Sequence, residues 1–292
     1  MLTLPYMVAV IFAIFIVSAF SQGTPTTEKG ENNASILQGI DDDFEHRSFI
    51  DDPEYQWPHR GEFVVVPFET NNLEPRVENL LYHYIDIFKN QTCIRWIPRT
   101  NEVDYVAFEP GYDVNGKLTD RCWAQAIGRT GGRIYIKVNS RCMSLGSTYE
   151  YLAAMPHEMM HTLGFTHEQQ RRDSRCYVNF SESILQTDVI NTQIFTYTST
   201  SISFPYDFQS IMHYELPGDI FSREGEVIGA IGNEPSWQDW WKINYMYCGA
   251  QHMCTSDLFK EKCNQHYERL RKCKAEGLLE YYTSDHSILY EK

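Results

Sequence analysis

Apolar and polar positions divide the chain into stretches of distinct character. Leu2 to Phe20 are almost all apolar and carry no charged side chain. Small residues follow, so residues 1–21 read as a secretory signal peptide, cut after Ala19 or Ser21. An uncleaved anchor is the alternative, since the run just reaches spanning length. Residues 22–47 are polar and acidic and contain the row Asp41, Asp42, Asp43. Such a stretch buries too little apolar surface to fold alone. It ends at Arg47, where a trypsin-like cut is chemically easy, and reads as a prosegment.

From Glu62 the pattern becomes that of a folded domain. Phe63 to Phe68 (FVVVPF) predicts a strand. Val77, Leu80, Leu81, Tyr84, Ile85 and Phe88 recur with the helical period and predict an amphipathic helix. Cys93 to Pro98, Asp104 to Phe108 and Arg133 to Val138 are rich in β-branched and aromatic residues and predict strands. Ser147 to Leu163 reads as a helix that opens on a capping box, Ser147 with Glu150, and stops at Gly164. Beyond it the pattern is irregular until Trp237 to Tyr247 (WQDWWKINYMY), a further helix. The tail holds Cys254, Cys263 and Cys273 among charged residues and predicts a short helical segment.

Composition narrows the function classes. Of 292 residues, 42% are hydrophobic and 22% charged, which is enough for a folded core. The net charge of −14 excludes a nucleic-acid grip and a polybasic membrane-surface mode. No second apolar run reaches spanning length, so no stable membrane association is expected after signal cleavage. Eight cysteines, an even number, fit an oxidising compartment. In a secreted chain Asn33, Asn90 and Asn179, each in N-x-S/T, become candidate glycosylation acceptors.

The chemistry lies in His157-Glu158-Met159-Met160-His161-Thr162-Leu163-Gly164-Phe165-Thr166-His167-Glu168. His157 and His161, at i and i+4, share one face of a helix, so both imidazoles reach one ion. Gly164 tolerates positive φ and lets the chain swing back, which brings His167 in as a third nitrogen ligand. Three protein ligands leave zinc an open position for water, as catalytic sites do. Glu158, beside the first ligand, can take that water's proton. The histidines at 46, 59, 83, 213, 252, 266 and 286 have no ligand spacing and read as surface residues.

These residues resemble the astacin family of metzincin zinc endopeptidases. The H-E-x-x-H-x-x-G-F-x-H-E pattern matches in full, with Glu168 following the third histidine. Ser210-Ile211-Met212-His213-Tyr214 resembles the family's Met-turn. Thr92-Cys93-Ile94-Arg95-Trp96, Lys242-Ile243-Asn244 and Tyr247-Cys248 match further family patterns. The resemblance implies an α+β fold of metzincin type with two subdomains. A twisted mixed sheet and the active-site helix make up the N-terminal half. The C-terminal half is mostly irregular with one long helix. It also implies one Zn²⁺ per chain and protein or peptide substrates, in a secreted monomer. The form is short and nematode-like, without EGF-like or CUB-like modules.

By the same resemblance Met212 packs beneath the metal, and Tyr214 is a metal-bound tyrosine that swings away to stabilise the oxyanion. The peptidase domain runs over 48–250, with a tail at 251–292. Its mature terminus is Ser48, just ahead of Tyr55-Gln56-Trp57, and the freed ammonium is buried against Glu168. Latency in the family comes from a prosegment aspartate on the zinc; Asp41 matches that pattern imperfectly, and Asp42 and Asp43 compete with it. The resemblance pairs Cys93 with Cys248 and Cys122 with Cys142. Cys176, Cys254, Cys263 and Cys273 then allow three pairings, with one bond expected to tie the tail back to the loop at Cys176.

Two features depart from the family. Pro156 falls inside the predicted helix, where a proline costs about 3 kcal/mol; the helix is then kinked, or it restarts with Pro156 in its first turn. The stretch after Phe221-Ser222 is short, and Arg223 there is a candidate for acidic side chains or simply a solvated charge. A catalytically weak or inactive astacin-like binding protein is the first rival. A matrixin or adamalysin is the second, opposed by Glu168 and Tyr214. A peptide is expected to lie along Arg133 to Val138 by strand addition.

Overall fold

A central parallel strand organises the N-terminal part of the computed structural model, which describes residues 49–50, 52–147, 151–188 and 203–279. All of these lie in one unit, Phe44–Lys292. The signal and prosegment residues, Ser48, Asn33 and Asp41 to Asp43 lie outside the described residues. None of the described helices is long and apolar enough to cross a membrane.

Strand β2 (Phe63–Thr70) is apolar on both faces, and Val64, Val65, Val66 and Phe68 are buried, as a central strand requires. It pairs in parallel with β3 (Ile94–Pro98) and β4 (Tyr105–Glu109), and β4 pairs in parallel with β6 (Arg133–Lys137). Two short strands run antiparallel to these: β1 (His59–Arg60) on β2 and β5 (Trp123–Ala124) on β6. The sheet is therefore mixed, and the α+β expectation holds.

Between β2 and β3 lies α1 (Pro75–Gln91), whose buried residues Val77, Leu81, Tyr84 and Phe88 follow the predicted stripe. Proline opens this helix, where its missing N–H costs nothing. Phe88 packs edge-on against Trp240 of α5 (Trp237–Tyr247), with ring centroids 5.1 Å apart. After the sheet comes α2 (Ala154–Thr162), buried along its whole length. Beyond α2 the described chain has short strands and separate helices. It carries α3 (Ser174–Tyr177), α4 (Glu182–Thr187), the antiparallel pair β7 (Val178–Phe180) and β8 (Ile220–Ser222), α5, and the tail helix α6 (Lys260–Ala275).

Two sequence expectations need correction. The metal-site helix does not open at Ser147, because α2 starts at Ala154 and its first i to i−4 bond runs from the His157 N–H to the Ala153 carbonyl. Pro156 thus sits in the first turn, where the backbone donor it lacks has no partner to lose, and the helix-breaking cost does not arise. Nor is the strand at Arg133 the sheet edge, because Trp123–Ala124 covers it. Two residues carry no periodicity, so β5 was invisible to pattern reading.

Candidate active site

Helix α2 presents His157 and His161 on one face, and the chain then turns at Gly164, whose φ of +99° suits glycine. The carbonyls at the end of α2 are all taken. Trp57 Nε1–H donates to Thr162 O at 2.8 Å, Gly128 N–H to His161 O at 2.8 Å, and Tyr247 O–H to Leu163 O at 2.9 Å. This end of the helix is buried, and these donors make that possible.

His157, His161 and His167 each offer a ring nitrogen, and the three nitrogens lie within 4.8 Å of one another. The opposite nitrogens settle the tautomers. His157 Nδ1–H donates to Ile211 O at 2.7 Å and His161 Nδ1–H to Phe165 O at 2.8 Å. His167 Nδ1–H donates to Gln170 Oε1 at 2.9 Å. Each Nε2 is therefore a bare lone pair. Yet the Nε2 of His167 stands 3.2 Å from that of His157 and 3.1 Å from that of His161. Lone pairs so close repel unless a cation sits among them, so the donor set fits a divalent metal. Burial pushes His157 down to about 4, His161 to about 3, and His167 well below its ordinary value, which keeps the imidazoles neutral. Replacing Gln170 with Leu removes the acceptor that fixes His167. We expect metal retention about 10- to 100-fold weaker, read by competition with a chromophoric chelator, with the fold intact.

Glu158 is 6% exposed and lines the same cleft of about 1140 Å³. Burial pushes its carboxyl up to about 8, against the pull of the Ala124 amide on β5. Tyr214 lies half-buried over His167, ring centroids 4.3 Å apart. Burial, and then the charge of Glu158, raises its phenol, so it is a neutral donor. Asp120, Arg121, Trp123, Tyr151 and Glu215 also line the cleft, whereas Arg223 is exposed and does not.

The Met-turn is fastened by residues that sequence reading passed over. Asp239 of α5 accepts from Ser210 Oγ at 2.7 Å and from the Ile211 N–H at 2.9 Å, and Ile211 O is the carbonyl that orients His157. Met212 is buried, and its carbonyl accepts from the Glu168 N–H at 2.9 Å. Gln169 Oε1 accepts from the Tyr214 N–H at 3.0 Å. The capping box Ser236 with Asp239 was a visible signal for Asp239, but only as a helix start.

Glu168 is 2% exposed rather than solvated. Arg171 Nη1 lies 2.7 Å from one of its oxygens and Lys242 Nζ 2.9 Å from the other. Burial alone would raise this carboxyl, but the two cations and the Asp207 amide outweigh it and hold it at about 2. Phe49 pairs with Phe165, and the Ile50 N–H donates to Gly164 O at 2.9 Å, so the described chain begins beside the metal-site turn.

Four disulfides join Cys93–Cys248, Cys122–Cys142, Cys176–Cys273 and Cys254–Cys263. The side chains of Asn90 and Asn179 are exposed. Two histidines expected at the surface are buried instead: His213 is 5% and His266 4% exposed. Both face tyrosine hydroxyls, partners far apart in sequence that no spacing rule could supply.

Comparison with known proteins agrees with this geometry. The peptidase family described as Astacin matches residues 49–248. Meprin A subunit beta of Rattus norvegicus is 26% identical over 236 residues, covering 77% of this chain and 30% of the meprin. High choriolytic enzyme 2 of Oryzias latipes is 32% identical over 155 residues, covering 52% of this chain and 49% of that enzyme. The solved structure of high choriolytic enzyme 1, a hatching enzyme zinc-protease from Oryzias latipes, superposes with a TM-score of 0.52 at 25% identity. That match covers 65% of this chain and 92% of the other. The chain spans about 30% of the length of the meprins it matches. The match over 49–248 takes in the whole histidine cluster and its Met-turn and covers more than half of the chain, and on that ground the chain belongs to the astacin family of peptidases.

Proposed function

We propose that this chain is a secreted zinc endopeptidase, made as a precursor and processed after Arg47. The observation that carries the reading is the convergence of three unprotonated imidazole nitrogens beside Glu158 in an open cleft. His157, His161 and His167 would hold the zinc. Zinc bound there supplies Lewis acidity, which acidifies water and polarises a peptide carbonyl.

This chain's residues supply the rest. A substrate backbone adds to the edge strand β5, at Trp123 and Ala124, and so lies across the cleft. Glu158 takes a proton from the attacking water and returns it to the leaving amine. The Tyr214 hydroxyl donates to the oxygen on which negative charge develops. Tyr214→Phe is therefore expected to lower kcat about a hundredfold with KM little changed, measured on a fluorogenic peptide.

Maturation at Ser48 would free an ammonium one residue before Phe49, which bridges to Phe165. We read Glu168 as its partner, shared with Arg171 and Lys242. A buried carboxylate cluster that includes Asp173, Asp207 and Asp239 has use for a third cation. Asp41 remains the candidate latency switch, and Asn33, Asn90 and Asn179 the candidate glycosylation acceptors.

Pro156 no longer favours an inactive binding protein, because it occupies the first turn of α2. The deciding experiment digests a peptide mixture with the chain processed at Arg47 and counts its metal. Cleavage, one zinc per chain, loss of cleavage with 1,10-phenanthroline and recovery on adding zinc are expected. A zinc-loaded chain that cuts nothing would establish the binding protein instead.

A further inference from the structure

The tail helix α6 lies beyond Cys248, where the family match ends, yet it contacts Tyr177 and Cys176 of α3 within the matched region. Its buried face is Cys263, His266, Tyr267, Leu270 and Cys273. His266 Nδ1 and the Tyr177 hydroxyl form a buried hydrogen bond at 2.5 Å. The Tyr177 ring stacks on Tyr206, centroids 4.6 Å apart and 6° from parallel. Next in line is His213, in the Met-turn. Its Nδ1–H donates to the Tyr214 carbonyl at 2.9 Å, so its Nε2 is a lone pair, and the Tyr206 hydroxyl donates to it at 2.8 Å. A continuous path thus runs from α6 to the backbone of Tyr214.

The near end of that path is clamped. Arg269 of α6 donates to Cys176 O at 3.0 Å and lays its guanidinium 4.5 Å from the Tyr177 ring centre. It also pairs with Glu224 at 3.1 Å and Glu226 at 3.4 Å, beside β8, while Cys176–Cys273 ties the same helix to α3. Tyr206 in addition lies under Arg171, the cation that holds Glu168. Two buried histidines and two stacked tyrosines are more than a covalent tether needs. Their polar ends match at the two histidine–tyrosine junctions, the two tyrosine rings meet face to face between them, and the path ends at the turn that carries Tyr214.

We propose that α6 braces the catalytic turn, with His266 a positioning residue that acts through Tyr177, Tyr206 and His213 on Tyr214. This rests on the reading of Tyr214 as the oxyanion donor. The tail is then part of the working enzyme, and its hydrogen bonds matter beyond its disulfides.

The test uses the full chain processed at Arg47, with four disulfides formed. His266→Phe removes the bond to Tyr177, and Tyr206→Phe removes the bond to His213 while keeping the stacked ring. His266→Asn keeps an acceptor near the Nδ1 position. In both phenylalanine variants kcat is expected to fall about tenfold with KM within about twofold, and His266→Asn to recover most of it. Amide hydrogen exchange, which needs neither metal nor turnover, is expected to rise over residues 204–216 and stay unchanged in β2 and β4. Unchanged kcat and exchange in both variants would overturn the brace, and so would exchange that rises equally throughout the sheet. If the parent chain cleaves no peptide, the proposed activity fails, and the exchange pattern alone decides the brace.

Discussion

Glu158→Gln is expected to keep the metal and to lower the proposed peptide cleavage by about 10³-fold, within the range that a positioned general base supplies. The substitution changes one atom in size-matched fashion but removes the group that accepts a proton. Glu158 is suited to the task because it is buried at the cleft wall, 6% exposed, with its carboxyl pushed up to about 8 by that burial. A cation bound nearby would favour the ionised carboxylate and bring that value down toward neutral pH, where a base works best. The measurement is kcat/KM on one peptide alongside zinc content by atomic absorption. A variant within tenfold of the parent would remove Glu158 from the mechanism. A variant that loses its zinc would show that the residue builds the site rather than works in it.

Lys242→Met has the largest expected effect on stability. Lys242 and Glu168 are 1% and 2% exposed and 2.9 Å apart, and Arg171 completes the cluster. Removing one partner of a buried ion pair leaves an uncompensated charge and costs about 3–5 kcal/mol. For a domain of this size that lowers the melting temperature by roughly 10 °C. Methionine keeps the apolar stem, so the loss reports charge rather than packing. In the chain before processing at Arg47, the double variant Lys242→Met, Glu168→Gln is expected to recover part of it, since Arg171 keeps Asp173 as its partner and Lys242 and Glu168 have lost their charges together. A single variant that melts within about 2 °C of the parent would mean that Arg171 alone satisfies Glu168.

Much of the site was legible because its ligands are local. His157, His161 and Gly164 lie within one helix and its stop, and His167 follows in the next turn of chain. Helical period brings such residues together without help from the rest of the molecule. The strands β2, β3, β4 and β6 were legible for the same reason, since each carries its own apolar pattern. Helix α2 was misjudged because Ser147 and Glu150 mimic a capping box, while the chain turns at Gly146 and starts the helix only at Ala154. Strand β5 was missed because two residues, Trp123 and Ala124, carry no pattern at all.

The sequence alone determined the metal-site motif and the elements that hold their own periodicity, because those depend on spacing within one short segment; the Met-turn was legible only through the family resemblance. Only the tertiary structure decided how the site is supported. Asp239 reaches the Met-turn from α5, Lys242 meets Glu168 across a separation of 74 residues, and Tyr177 meets His266 across 89. Buried polar groups must find partners, and which partner each one finds depends on how the chain packs, not on its neighbours in sequence.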